Sequence, residues 1–267
     1  MLVFIIPVRS PKVSKSWETV SKLFERCIQS VCHQTSSNFR VFVVCNERPK
    51  IEFNHPNLTY IERDFPLPNT DYLSKEFDRS RKVLTGIMQA KELEEASHIM
   101  VVDADDCISK YLAEFVNRQP KHPGWILKQG YWYQDGSQFI RVMRKGFDGY
   151  CGTSTIVRTD LYDFPNTRDR EELANHYYKH YRHREIKETL REQGIVLDPL
   201  PFKGAVYITD NGENIYSGTE TIKHAVSLKS RLLRFKAVLD NRILTPALRD
   251  TFGLYNPPSR IVTVVKT

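Results

Sequence analysis

Residues 2–6, Leu-Val-Phe-Ile-Ile, form an unbroken apolar, β-branched-rich run closed by Pro7. A run of this kind suits a strand buried on both faces of a parallel sheet, and it predicts the first, central strand. Between residues 17 and 31, Trp17, Val20, Phe24, Cys27, Ile28 and Val31 recur at helical spacing with Lys22, Glu25, Arg26 and Gln29 between them, so an amphipathic helix follows. Residues 39–45 predict the second buried strand, and Asn46-Glu47-Arg48-Pro49 its polar exit. Residues 58–61 read as a third strand, 83–93 as a second helix, and 99–102 as a fourth strand that runs directly into acids. This alternation implies an α/β fold, with a mostly parallel sheet flanked by helices.

Past residue 120 the pattern changes. Residues 125–133 are aromatic and β-prone, Gln134-Asp135-Gly136-Ser137 is a turn, and 139–143 return, which predicts a hairpin. Residues 171–193 lack Gly and Pro and predict one helix stopped at Gly194. Residues 155–158, 195–197 and 205–208 read as short strands. Leu228, Leu232, Phe235 and Leu239 then mark an amphipathic helix flanked by Lys229, Arg231, Arg234 and Lys236. The expected division is a catalytic domain over 1–218 and a basic, helical C-terminal extension over 219–267.

Charge sharpens this division. The chain of 267 residues carries a formal +7, and residues 221–267 hold nine Lys/Arg against two Asp, so the first 220 residues are close to neutral. A basic tail behind a neutral body points to docking on an anionic surface or partner, with peripheral membrane contact through 221–267 and no nucleic acid as the expectation. The opening apolar run is too short for a signal peptide or a membrane span, and the expected location is cytoplasmic. Five cysteines, an odd number without a C-x-x-C pair, predict buried free thiols.

The strongest chemical signal is Val101-Val102-Asp103-Ala104-Asp105-Asp106. A buried strand delivers three carboxylates at its carboxyl end, where open α/β sheets place their ligands. Asp103 can accept hydrogen bonds from ribose hydroxyls, while Asp105 can bind a divalent cation. Mg²⁺ or Mn²⁺ prefers one or two carboxylates plus substrate phosphates, and neutralises a departing nucleoside diphosphate. An acidic loop capping the next helix through Asp106 or Ser109 would use the same residues.

Together with Ile5-Ile6-Pro7-Val8-Arg9, Ser30-Val31-Cys32-His33-Gln34-Thr35 and Phe39-Arg40-Val41-Phe42-Val43-Val44, the acidic turn resembles the GT-A glycosyltransferases of family 2, over roughly residues 1–218. The chain is also similar to their rhamnosyltransferase branch. The resemblance implies a GT-A fold and inverting, metal-dependent transfer of a hexosyl-type sugar from a nucleotide-sugar donor to a carbohydrate or lipid-linked acceptor. It implies Asp105 as the main metal ligand with Asp103 and Asp106 beside it. It also implies donor contacts from Pro7, Val8, Arg9, Glu47, Arg81, Lys82 and Ala104. Arg81 and Lys82 equally fit a solvated helix start.

Inversion needs a base for the acceptor hydroxyl. The family's acidic pair would fall near Arg182-His183, leaving His183, or alternatively Asp169, Glu171 or Glu172, as candidates. His176, His180 and His183 also have the spacing of a transition-metal cluster or of a solvated helix face. Trp132, Asp148 and Ser154 are the expected acceptor contacts, although aromatic hairpins also serve as core and the glycine-rich segment 146–152 also describes a tight turn. Two other classes compete: a nucleotidyltransferase, whose basic loop after the first strand would normally contain glycine, and a noncatalytic membrane or nucleic-acid docking protein using the tail.

Overall fold

The computed structural model describes residues 1–213 and 240–255. The apolar run becomes strand β1 (Leu2–Pro7), with β2 (Phe39–Cys45) and β3 (Leu58–Glu62) added in parallel on one side and β4 (His98–Val101) on the other. Helices α1 (Trp17–Cys32) and α2 (Tyr72–Lys91) lie in the crossovers. β1 alternates its side chains between two cores. Leu2, Phe4 and Ile6 meet Phe24, Cys27, Ile28 and Val31 of α1, while Val3 and Ile5 meet Val83, Ile87 and Ala90 of α2. Each Leu, Ile, Val or Phe side chain among them, taken fully out of water, contributes about 1.5–3 kcal/mol.

Beyond β4 the sheet continues through β6 (Gly124–Ile126), β9 (Thr155–Arg158) and β10 (Asp198–Pro199), in the order β10-β6-β9-β4-β1-β2-β3. Only β9 runs against the others among the described residues. A second sheet, ordered β12-β8-β7-β11-β5, contains β5 (Cys107–Ile108), β7 (Gly130–Gln134), β8 (Phe139–Met143), β11 (Ala205–Thr209) and β12 (Asn241–Ile243). The fold is thus mixed α/β with a mostly parallel main sheet, as expected.

Several expected boundaries change. The aromatic hairpin consists of β7 and β8 alone, because Trp125 belongs to β6 in the main sheet, where it stacks on His122 at 4.3 Å. Helix α2 begins at Tyr72 instead of residue 83, capped by Asp71, whose side chain accepts the Ser74 N–H at 2.8 Å. The helix expected over 171–193 divides into α4 (Arg170–His180) and α5 (Ile186–Glu192), following the short α3 (Leu112–Asn117). Residues 195–197 form no strand, and β10 follows them.

Part of the predicted extension belongs to the folded body. β12 pairs antiparallel with β8, and α6 (Pro246–Phe252) presents the carbonyl of buried Phe252 to the Ser30 hydroxyl at 2.7 Å. The helix predicted around 228–239 lies outside the described residues. No helix among the described residues is long and apolar enough to cross a membrane. All five cysteines are free and buried, and burial pushes the Cys32, Cys45 and Cys107 thiols up to about 12, which removes them as thiolate nucleophiles at neutral pH.

Candidate active site

The crossovers leave β1 towards β2 and β3 on one side, while β4 lies on the other. β1 and β4 therefore flank the switch point of the sheet, whose carboxyl edge is the ligand crevice of open α/β folds. A cleft of about 400 Å³ opens there, walled by Pro7, Val8 and Arg9 after β1 and by Asp103, Ala104 and Asp105 after β4.

Asp103 is held from three directions. Its N–H donates to Thr153 Oγ1 at 2.9 Å, and its Oδ1 accepts from Arg79 Nε at 3.0 Å and Nη2 at 2.7 Å. The Oδ2 side packs so tightly on Gly152 that a Cβ there would stand 2.2 Å away. Asp105 accepts from Asn211 Nδ2 at 2.8 Å, and burial, followed by repulsion from Asp103, raises its pKa. Two crowded carboxylates, one destabilised as an anion, favour a cation between them. No group of three His, Cys, Asp or Glu side chains is arranged around a metal among the described residues. Two carboxylates completed by ligand phosphates and water nevertheless fit Mg²⁺ or Mn²⁺, which rarely use an all-protein cage.

Asp106 is not part of that pair. It is 1% exposed, accepting from Thr153 Oγ1 at 2.7 Å and Cys151 Sγ at 3.2 Å on one oxygen and from the Ile208 N–H at 3.2 Å on the other. Burial pushes its pKa well above the usual range. Its side chain braces the loop before β9 against β11, which corrects its assignment as a metal ligand.

Seven Lys/Arg and five Asp/Glu side chains line the cleft. Arg9 pairs with Glu213 at 3.1 Å, Lys82 with Asp78 at 2.8 Å and Arg182 with Glu76 at 3.4 Å. Lys15, Lys75 and Arg184 form no ion pair with a carboxylate among the described residues. The surplus positive charge suits a polyphosphate ligand.

Other expected residues lie elsewhere. Glu47 is exposed beyond β2 and outside the cleft wall. Arg81 points away from the cleft-facing row of α2 and pairs with Glu171. Asp169 caps α4 by accepting the Glu171 and Glu172 N–H groups, and Glu172 is exposed, so neither carboxylate reaches the cleft. Trp132 donates from Nε1 to Thr209 Oγ1 at 2.9 Å and packs against Tyr150 and Tyr207, both of which line the cleft where Trp132 does not. Asp148 is tied to Lys128 at 2.7 Å, and Ser154 is fully buried. The acceptor contacts expected from Trp132, Asp148 and Ser154 are therefore not made at this wall.

His183 does line the cleft, because the break between α4 and α5 turns Arg182, His183 and Arg184 inward. Burial, reinforced by Arg79, lowers its pKa to about 4, and its buried Nε2 has no partner among the described residues. That break also separates it from His176 and His180, whose rings lie 4.6 Å apart on α4, so the three histidines form no metal cluster.

Arg79, Gly152, Asn211 and Glu213 were not singled out from sequence. The available signal for Arg79 was its row with Lys75 and Lys82 on one helical face, readable only once α2 begins at Tyr72.

No family model matches the sequence, and no curated protein does either. Among solved structures the chain is similar to S. aureus TarS, with a TM-score of 0.45 and 13% identity over 78% of this chain and 36% of that one. It is similar to S. aureus TarS 1–349 in complex with UDP at a TM-score of 0.41 and 13% identity, over 78% and 60% of the two chains. Francisella tularensis 2-C-methyl-D-erythritol 4-phosphate cytidylyltransferase gives a TM-score of 0.41 and 12% identity over 88% and 98%. This chain thus spans 36% of the first TarS chain, and the geometry of the cleft carries the functional conclusion.

Proposed function

We propose that the cleft binds a nucleoside-diphosphate sugar with Mg²⁺ or Mn²⁺ and that the protein transfers the sugar to an acceptor hydroxyl. The observation that carries this is the pair Asp103 and Asp105 at the switch point, facing a cleft in which Lys15, Lys75 and Arg184 have no carboxylate partner among the described residues. A metal held at Asp103 and Asp105 would neutralise the departing diphosphate. Arg79 fixes the Asp103 carboxylate, Asn211 orients Asp105, and Lys15, Lys75 and Arg184 supply counter-charge for phosphate. Neutral His183 offers Nε2 as an acceptor for the incoming hydroxyl. A pKa of about 4 makes it a weak base in the empty cleft, and the arriving negative diphosphate would raise that pKa towards the working range.

Calorimetric titration of UDP, GDP and dTDP, with and without Mn²⁺, tests the reading on the unmodified protein and on Asp105→Ala. At least one nucleotide should bind, with affinity that depends on both metal and Asp105. Folded protein that binds none of them sinks the proposal. Nucleotidyl transfer is favoured by one observation, the placement of Arg9 and Lys15 after β1 in the cleft wall. It would appear as pyrophosphate release from a nucleoside triphosphate without sugar transfer.

A further inference from the structure

Asp78 and Lys82 stand one turn apart on α2, 5% and 1% exposed, and both belong to the cleft wall. Their 2.8 Å contact uses only Oδ2 of Asp78. Oδ1 is buried without a hydrogen-bond partner among the described residues. Taking two charges out of water is costly, and a buried ion pair offsets that cost only when its remaining valences are filled. The ammonium brings three N–H donors. Asp78 Oδ2 accepts one of them, and Nζ stands 5.6 Å from the centre of the Phe65 ring.

The location is specific. Asn46, the first residue after β2, donates to the Phe65 carbonyl at 2.8 Å and leaves its own Oδ1 buried and unpartnered. Lys82 lies within electrostatic reach of Arg9 after β1 and of Cys45 at the end of β2, which places the pair by the ends of those strands, on the side of the switch point away from β4. Arg79, on the same helix, grips Asp103. With metal and diphosphate at Asp103 and Asp105, the nucleoside end of the ligand would lie in this corner of the cleft. It is fixed about 4.5 Å along a rigid helix from the residue that sets the metal carboxylate.

We propose that Asp78 and Lys82 read the donor's nucleobase: Asp78 Oδ1 accepts a ring N–H and Lys82 Nζ donates to the adjoining carbonyl. This assignment rests on the donor-site reading above. An acceptor beside a donor complements the imide edge of uracil or thymine and the N1–H/O6 edge of guanine. Cytosine and adenine present the reverse edge, a ring nitrogen lone pair beside an amino group, which sets lone pair against carboxylate and ammonium against N–H. A polar site built for one pattern rejects the other strongly, because its own buried groups are left unpaired.

The test is calorimetric titration of UDP, GDP, CDP and ADP with Mn²⁺ into the full chain, into Asp78→Asn, and into Asp78→Asn/Lys82→Gln, which strands no charge. Thermal melts establish which variants are folded. In the unmodified protein UDP or GDP should bind at least about 30-fold tighter than CDP and ADP, a modest part of what such a site can reject. In a folded variant that ratio should fall to within about threefold while CDP affinity holds, since only the edge-reading contact has gone. Equal affinities in the unmodified protein, or an equal loss for all four in the variants, overturns the assignment and leaves the donor reading standing. Failure of all four to bind overturns both.

Discussion

One methyl group at Gly152 tests the arrangement of the site. An alanine Cβ would stand 2.2 Å from Oδ2 of Asp103 and 3.1 Å from Nη2 of Arg79. Carbon and oxygen settle about 3.3 Å apart, so the carboxylate must retreat by roughly 1 Å. It can do so only by loosening its 3.0 and 2.7 Å bonds from Arg79. A displacement of about 1 Å at a reacting group costs on the order of 100-fold, so Gly152→Ala should lower sugar transfer or donor hydrolysis by about that factor. Mn²⁺-dependent nucleotide affinity should fall at least about tenfold, the equivalent of about 1.4 kcal/mol. Hydrogen bonds to charged groups contribute about 1.5–3 kcal/mol, and the partial exposure of this pair puts its loss at or below the lower end, a melting shift of a few degrees. Gly149→Ala is the control, because a Cβ there meets nothing within 4 Å. Calorimetry and thermal melts on both variants decide the matter: Gly152→Ala with unchanged metal-dependent nucleotide binding would refute the placement of Asp103 in the site.

Lys75→Met removes one cation that has no carboxylate partner among the described residues, and should weaken a nucleoside diphosphate about three- to tenfold, with a smaller effect on the monophosphate; equal effects would place Lys75 away from the terminal phosphate. His98 is fully buried, with Nε2 on the His122 carbonyl at 2.8 Å, and burial lowers its pKa to about 4. The unfolded chain therefore binds the extra proton between about pH 6.5 and 4, so this contribution is fully present above that window and is lost as pH falls through it. The interval corresponds to roughly 3 kcal/mol. Urea midpoints at pH 7 and 4.5 should show the deficit of His98→Gln shrinking by about 2 kcal/mol at the lower pH, and a constant deficit would contradict the sign.

The parallel half of the fold was legible because β1, β2 and β4 are buried on both faces and α1 buries a regular stripe, so burial itself wrote their patterns. The same rule hid half of α2. Its cleft-facing positions, Tyr72, Lys75, Glu76, Asp78, Arg79 and Lys82, are mostly charged because they meet a ligand cavity, so apolar periodicity begins only at Val83. Arg81 then looked like the functional arginine, although on a helix it turns roughly 200° from Arg79. The break at 181–185 was hidden for a related reason: Arg182 is held by Glu76 and Glu185, contacts that no local pattern announces. Asn211 and Glu213 reach Asp105 and Arg9 across more than 100 residues.

The Ser-Val-x-x-Gln-Thr element and the acidic turn, recognised separately in sequence, form one structure. Ser30 Oγ accepts the Ile108 N–H at 2.9 Å, and Gln34 accepts the Ala113 N–H at 3.0 Å while donating to the Ser109 carbonyl at 3.3 Å. Thr35 donates its N–H to the Lys110 carbonyl at 2.8 Å and its hydroxyl to Glu114 at 2.8 Å. These contacts all fall on residues 108–114, the segment that leaves the acidic turn. The end of the short strand β5 and the first turn of α3 leave backbone groups without ladder or intrahelical partners, and side chains at the end of α1 satisfy them. Thr153 and Gly152 hold the turn from the loop before β9, and the Ile208 N–H holds it through Asp106 from β11. The polar motif is therefore scaffold: it touches no cleft wall, yet it sets where Asp103 and Asp105 stand before any ligand arrives. Such preorganisation is what lets two carboxylates act on a developing charge without first moving.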